Sequence, residues 1–185
     1  MDIQYKIEFF SDWHCGSGLA AGADVDVLVV KDKNRLPFVP GKTMKGLVRE
    51  AVENILQFQD NDTFDTNKLF GYFDNKEKKE QGELFFGNAE LSETHKNAIL
   101  ANNATDYLYR AIASTAIGED GIAIEHSLRK MEVVVPCILE GMIHYIPEEN
   151  KELIENGLKY IKRLGLNRNR GLGRCQITIK EGDKK

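Results

Sequence analysis

Residues 14–50, HCGSGLAAGADVDVLVVKDKNRLPFVPGKTMKGLVRE, decide how the rest of the chain is read. They open on a loop punctuated by Gly16, Gly18 and Gly22, which also carries His14 and two carboxylates, Asp24 and Asp26. A short apolar run follows at 25–30, then a turn at 31–34. Pro37 and Pro40 keep the backbone extended until a helix begins at Gly41 or Lys42. On that helix Met44, Leu47, Val48, Ala51, Val52 and Ile55 recur every three or four residues, so one stripe faces a core. Lys42, Lys45 and Arg49 share another face. They lie near the N-terminal end, where free N–H groups and the helix dipole favour phosphate. The local reading is a phosphodiester-binding corner with acids nearby.

Working outward, residues 2–10 alternate and are rich in aromatic and β-branched side chains, which predicts a first strand. Residues 11–22 are too glycine-rich for a regular element, and Trp13 is expected to anchor them by burial. Residues 24–30 read as a second strand. The helix is expected to end near Phe58. After it comes a charged insertion at about 60–82, pinned by Leu69-Phe70-Gly71 and ending in a surface loop, KEKKEQG. A strand is expected at 83–86, loop or weak helix at 94–106, and a strand at 107–113 on which Tyr107 and Tyr109 pack. Residues 117–131 are polar with two glycines and predict a projecting β-hairpin or loop. Residues 131–145 form one long strand or two short ones. A second helix opens at Pro147 with Leu153, Ile154, Leu158, Ile161 and Leu164 inward and Gly165 as its left-handed stop. A last strand covers 175–179. Strand, helix, strands, helix, strand is the pattern of a ferredoxin-like α+β fold, here one domain over residues 1–185.

The bulk numbers fit that reading. A 42% hydrophobic and 29% charged chain of 185 residues is ordinary for a soluble globular protein. Cys15, Cys137 and Cys175 are odd in number and far apart, so neither a disulfide framework nor a zinc site is expected. No export signal or membrane-spanning run is evident, which makes a reducing cytoplasm the default. The net charge of −4 argues against a nucleic-acid binder, but its distribution argues for one. Residues 31–49 hold six cations against one acid and residues 151–174 seven against two, while residues 60–93 hold nine acids against four cations. Binding follows local potential. The second basic segment ends in GLNRNRGLGR (165–174), with Gly165, Gly171, Gly173, Arg168, Arg170, Arg174 and no acid. Glycines admit close backbone approach and arginine forks suit phosphate oxygens. The run follows a helix and precedes a strand, the reverse of a dinucleotide fingerprint.

Together these residues resemble the RAMP (repeat-associated mysterious protein) superfamily of CRISPR systems, most of all the backbone subunits of type III effector complexes. The likeness is carried by H-x-G-x-G (His14, Gly16, Gly18), ADVDVLVVKD (23–32), LPFVPGKTMKGLVRE (36–50), GELFFGNAEL (82–91) and GLNRNRGLGR (165–174). These pieces stand in family order over nearly the whole chain. The resemblance implies a ferredoxin-like (RRM-like) domain with insertions and a projecting β-hairpin thumb at about 114–131. It implies a cytoplasmic subunit, without membrane, that stacks with other effector subunits along a CRISPR RNA and meets target RNA. Lys42, Lys45, Arg49, Arg168, Arg170 and Arg174, with Gly165, Gly171 and Gly173, would hold guide phosphates. Asp26 matches the aspartate that cleaves target RNA with Mg²⁺ or another divalent metal in catalytic members, and Asp24 is its competitor. His14 matches a loop histidine with an RNA-positioning role. In the RNA-processing branch of the superfamily a histidine, here His14, would act without metal. A purely structural RNA-binding subunit is a further variant: Asp26 would then be a solvent-facing or capping group and His14 structural. An NTPase reading of Gly41-Lys42-Thr43 is remote, because Leu36 stands where a phosphate-binding loop needs glycine.

Overall fold

The computed structural model describes residues 1–19, 25–59, 64–73 and 79–180, and shows a mixed α+β fold built on antiparallel sheets. In β1 (Ile3–Phe9) Ile3, Tyr5, Ile7 and Phe9 point into the core and the intervening residues point away from it. β2 (Phe38–Val39) leads through Pro40 into α1 (Gly41–Phe58). Gly41 begins the helix because there is no room for a side chain: a Cβ would run into the Phe86 carbonyl, and the Gly41 N–H donates to Asn88 Oδ1 at 3.0 Å. The expected insertion contains α2 (Thr66–Phe70), β3 (Tyr72–Phe73) and β4 (Lys79–Glu80), with Leu69 and Phe70 buried as its pin. β5 (Phe85–Phe86), β6 (Ala89–Glu90) and α3 (Glu93–Ala101) follow, the last capped by Ser92 accepting from His95 N–H.

Then come β7 (Tyr109–Ser114), β8 (Arg129–Val134), β9 (Ile138–His144), α4 (Lys151–Tyr160) and β10 (Cys175–Lys180). Pro136 splits the apolar run at 131–145, so two strands form. The main sheet has the order β10-β1-β9-β6-β2, with β5 also paired to β9. β7 and β8 make a separate two-stranded hairpin whose connection at 115–128 is almost wholly exposed. The core lies between the sheet and the helix pair α1 and α4. Val48 and Val52 meet Gly157 of α4, where an added Cβ would stand 2.9 Å from Val52 Cγ2. Met44, Ile154 and Leu158 are buried beside them, each contributing about 1.5–3 kcal/mol by burial.

Three expectations need correcting. Residues 25–30 form no strand of the main sheet but make single bridges, Gly16 with Val29 and Val27 with Met131. The second helix starts at Lys151 after a short 3₁₀ turn and stops at Tyr160, so Lys162, Arg163 and Gly165 lie beyond it. Tyr107 is 83% exposed on a 3₁₀ turn, whereas Tyr109 is half-buried.

Candidate functional site

The two glycine-rich loops, from opposite ends of the sequence, meet at one end of the sheet. Leu166 N–H donates to the His14 carbonyl at 2.9 Å, Gly173 N–H to the Asp12 carbonyl at 2.7 Å, and Phe10 N–H to the Arg174 carbonyl at 2.8 Å. Gly165 (φ +95°) presses on the His14 carbonyl and Gly173 (φ +68°) on that of Leu164, so any Cβ there would collide with backbone. Gly165 therefore serves this contact between loops and not the end of a helix.

His14, Cys15 and Gly16, Thr43 and Leu47 of α1, and Gly165, Leu166 and Arg168 surround a cavity of about 250 Å³. The His14 ring is fully buried, with Nδ1 2.6 Å from the Glu132 carbonyl oxygen. A carbonyl only accepts, so Nδ1 carries the proton. Nε2 is buried and has no partner among the described residues. Burial also pushes the thiols up, Cys15 to about 12 and Cys137 and Cys175 to about 11. At pH 8 all three stay protonated, and the thiolate is the nucleophile. Iodoacetamide should label the native chain on the order of a hundredfold more slowly than the chain in urea, read by mass spectrometry.

The base of the β7–β8 hairpin is fastened to the first glycine loop at several points. Trp13 and Val134 exchange both backbone hydrogen bonds, at 3.0 and 2.9 Å, while the Trp13 ring stacks on Phe9 with centroids 4.5 Å apart. The buried Asp12 carboxylate accepts from the Arg110 guanidinium. Glu132 accepts from Val29 N–H at 3.0 Å and from the Lys31 ammonium at 2.7 Å, and its own N–H donates to the Val27 carbonyl at 3.0 Å. Lys31 also lies 3.9 Å from the centroid of the Tyr109 ring. Burial, then the charges of Glu132 and Asp32, raise the Tyr109 hydroxyl above its ordinary range, and that hydroxyl donates to the Arg35 carbonyl at 2.7 Å. Asp26 is exposed; its N–H donates to the Lys130 carbonyl at 2.9 Å and its Oδ2 accepts from Lys130 N–H at 2.7 Å.

Glu132→Ala leaves a Lys31 ammonium and a Val29 N–H unpaired at sites 23% exposed or less, and should cost about 2–3 kcal/mol. Glu132→Gln, which keeps an acceptor for Val29, should cost less. Urea midpoints rank the two.

The predicted cations divide between two places. Arg168 reaches the cavity beside Thr43 and Leu47, whereas Lys45 and Arg49 line a separate concavity with Phe70, Gly71 and Gln81. Arg49 donates to Glu53 at 2.7 Å, Asn67 at 2.7 Å and the Gly71 carbonyl at 2.9 Å, so it ties the insertion to α1. The side of α1 that meets the second glycine loop is thus the Thr43–Leu47 side and not the lysine stripe. Lys42, Arg168 and Arg170 are exposed, and the Arg174 guanidinium lies 5.8 Å from the centroid of the Phe10 ring. Asp24 falls outside the described residues. No group of three or more His, Cys, Asp or Glu side chains gathers into a metal cluster among the described residues. Asp12 and Lys31 were not singled out in sequence because their partners stand 98 and 101 positions away, with no local signal to join them.

A family model described as the RAMP superfamily matches residues 6–176. A chain of a type III-B Cmr-beta complex, solved by cryo-EM bound to cognate target RNA, superposes with a TM-score of 0.74 at 11% identity over 97% of each chain. A chain of the type III-B Cmr-beta apo state does so with a TM-score of 0.74 at 11% identity over 98% of each. No curated protein matches the sequence. At that identity the likeness is one of fold.

Proposed function

The chain belongs to the RAMP superfamily, and from that premise we propose that it is a CRISPR RNA-binding backbone subunit of a cytoplasmic type III effector complex, in contact with target RNA and other effector subunits. The observation that carries the proposal is the meeting of the two glycine-rich loops beside α1, which sets Arg168 at a cavity lined by residues of both loops and by Thr43 and Leu47 of α1. Arg168, Arg170 and Arg174, with Lys42 and Lys45 at the start of α1, then hold guide phosphates. Gly171, exposed with open space around it, lets the strand approach the loop, which Gly165 and Gly173 hold in place. Contacts to phosphate accept any guide sequence. Arg49, engaged by three partners, positions the insertion.

The finer fold reading supports the same role. In the sheet order β10-β1-β9-β6, α1 connects two strands that flank β9, and α4 connects two that flank β1. That is the split β-α-β plan of a ferredoxin-like domain. The β7–β8 hairpin with its exposed connection at 115–128 serves as the thumb.

The same reading makes Asp26 the residue that assists cleavage of target RNA. Its carboxylate stands beside the start of β8, next to the exposed connection of the hairpin, and is itself exposed, with Oδ1 uncommitted among the described hydrogen bonds. One carboxylate oxygen completed by RNA phosphate and water is a set that Mg²⁺ accepts, so the residues present fit that ion. When bound it would neutralise charge building on the phosphate. Asp26 would orient the attacking ribose hydroxyl. His14, wholly buried, is suited to holding the first glycine loop in place and not to acting as the base of a metal-independent nuclease.

The test is the chain purified under native conditions from cells that express a guide array. RNA of discrete length should co-purify and be released by high salt. A chain free of RNA that also fails to bind single-stranded RNA in titration would overturn the proposal.

A further inference from the structure

We infer that the RNA path does not stop at Arg168 but continues along α1 to Tyr160, with Lys162 and Arg163 as further phosphate-binding residues; this rests on the RNA-binding reading above. The cavity at His14 and a concavity of about 510 Å³ are neighbours, with Leu47 and Arg168 lining both. One wall of the second is α1, through Leu47, Glu50 and Asn54; the other is the segment that follows α4. That segment is extended because Ile161 leaves the helix at ψ 114° and Arg163 pairs with Arg174. Ile161 and Leu164 turn inward, leaving Lys162 and Arg163 exposed between them.

Their ion pairing separates these cations from those of α4 and of the outer sheet face. Lys151 and Lys159 of α4 pair with Glu155, Lys6 with Glu8, and Lys180 with Glu140. Lys162 donates only to the Lys159 carbonyl at 2.6 Å, and Arg163 only to the Arg168 carbonyl at 2.9 Å, with no ion pair among the described residues. Arg163 therefore keeps most of its five donors for a ligand. Cations left without acids along one trench suit an anionic chain.

The ends of the groove are consistent with a polynucleotide. At one end the exposed Arg168 guanidinium offers its fork to phosphate. At the other end Tyr160, 47% exposed, offers a ring face for a base. Glu50 is the acid lining this stretch, and it faces the cations across the groove.

The test titrates a fluorescein-labelled single-stranded RNA of mixed sequence with the full chain across a range of salt. Each lost phosphate contact lowers the slope of log K against log salt by about 0.7 for a single strand. Lys162→Ala combined with Arg163→Ala should lower the slope by about 1.4 and weaken binding on the order of tenfold near physiological salt. Lys162→Ala alone should lower it by about 0.7, and its amine touches only the Lys159 carbonyl at the end of α4, so loosening of the loop does not enter. Lys6→Ala combined with Lys180→Ala, an equal change of charge on the far sheet face, should leave the slope as in the wild type. If the groove variants match that control, the inference is overturned while the RNA-binding reading stands. If the wild type binds no RNA, that reading falls and takes the inference with it.

Discussion

Gly173→Ala should cost about 4 kcal/mol or more and leave little folded chain at 37 °C. The backbone at Gly173 is left-handed, φ +68°, which alone costs an L-residue about 1–2 kcal/mol. The Cβ would also overlap the carbonyl of Leu164, a backbone atom fixed from two directions. Leu164 N–H donates to the Gly173 carbonyl at 2.9 Å and Gly173 N–H to that of Asp12 at 2.7 Å. Relieving the overlap means breaking these bonds and leaving buried groups unpaired, at about 1–3 kcal/mol for each. Gly171 is the internal control. It has φ +90° but meets nothing within 4 Å, so Gly171→Ala should cost only about 1 kcal/mol. Urea denaturation of both variants separates backbone strain from collision. Equal losses would mean that the two loops do not meet as described.

The same contact explains what a reader of the sequence sees and what stays hidden. α1 is legible because Met44, Val48, Ala51 and Val52 follow a 3.6 period and are all buried, although Leu47 and Ile55 are only half-buried and Leu56 takes the inward place at the end of the stripe. That period says which residues face inward, but not which flank of the exposed side meets another element. The stripe of Lys42, Lys45 and Arg49 exists, yet the loop at 165–174 lies against Thr43 and Leu47. Beyond α4 the period misleads in the other direction. Ile161 and Leu164 are buried at helical spacing, but from extended backbone, because inward turns on an irregular segment also fall three residues apart. Residues 25–30 look like a strand since alternation is blind to the partner. Here the partner of Val29 N–H is the side chain of Glu132 and not another strand. Glycine content marked both loops as places of close approach; that they approach each other is a tertiary fact.

On the proposed reading the largest functional effect belongs to Asp26, and the choice of substitution decides what is learned. Asp26→Ala removes two things at once: a carboxylate for the reaction and the acceptor for Lys130 N–H at 2.7 Å. Loss of the acceptor loosens the start of β8, so a fall in activity from alanine alone would not separate chemistry from geometry. Asp26→Asn keeps an oxygen for Lys130 N–H and removes the charge. The assembled complex carrying Asp26→Asn should bind guide and target RNA as the wild type does, with stability within about 1 kcal/mol, since a neutral acceptor replaces a charged one at an exposed site. Its cleavage of bound target RNA in Mg²⁺ should fall by on the order of a hundredfold or more, the usual scale for losing a positioned catalytic carboxylate. Raising Mg²⁺ should restore little, because the missing charge acts at the attacking hydroxyl as well as on the ion. Cleavage retained in full by Asp26→Asn would remove Asp26 from the reaction and leave it as the cap of the hairpin. Retention by Asp26→Asn together with loss in Asp26→Ala would show that hairpin placement, and not the charge, is what cleavage requires.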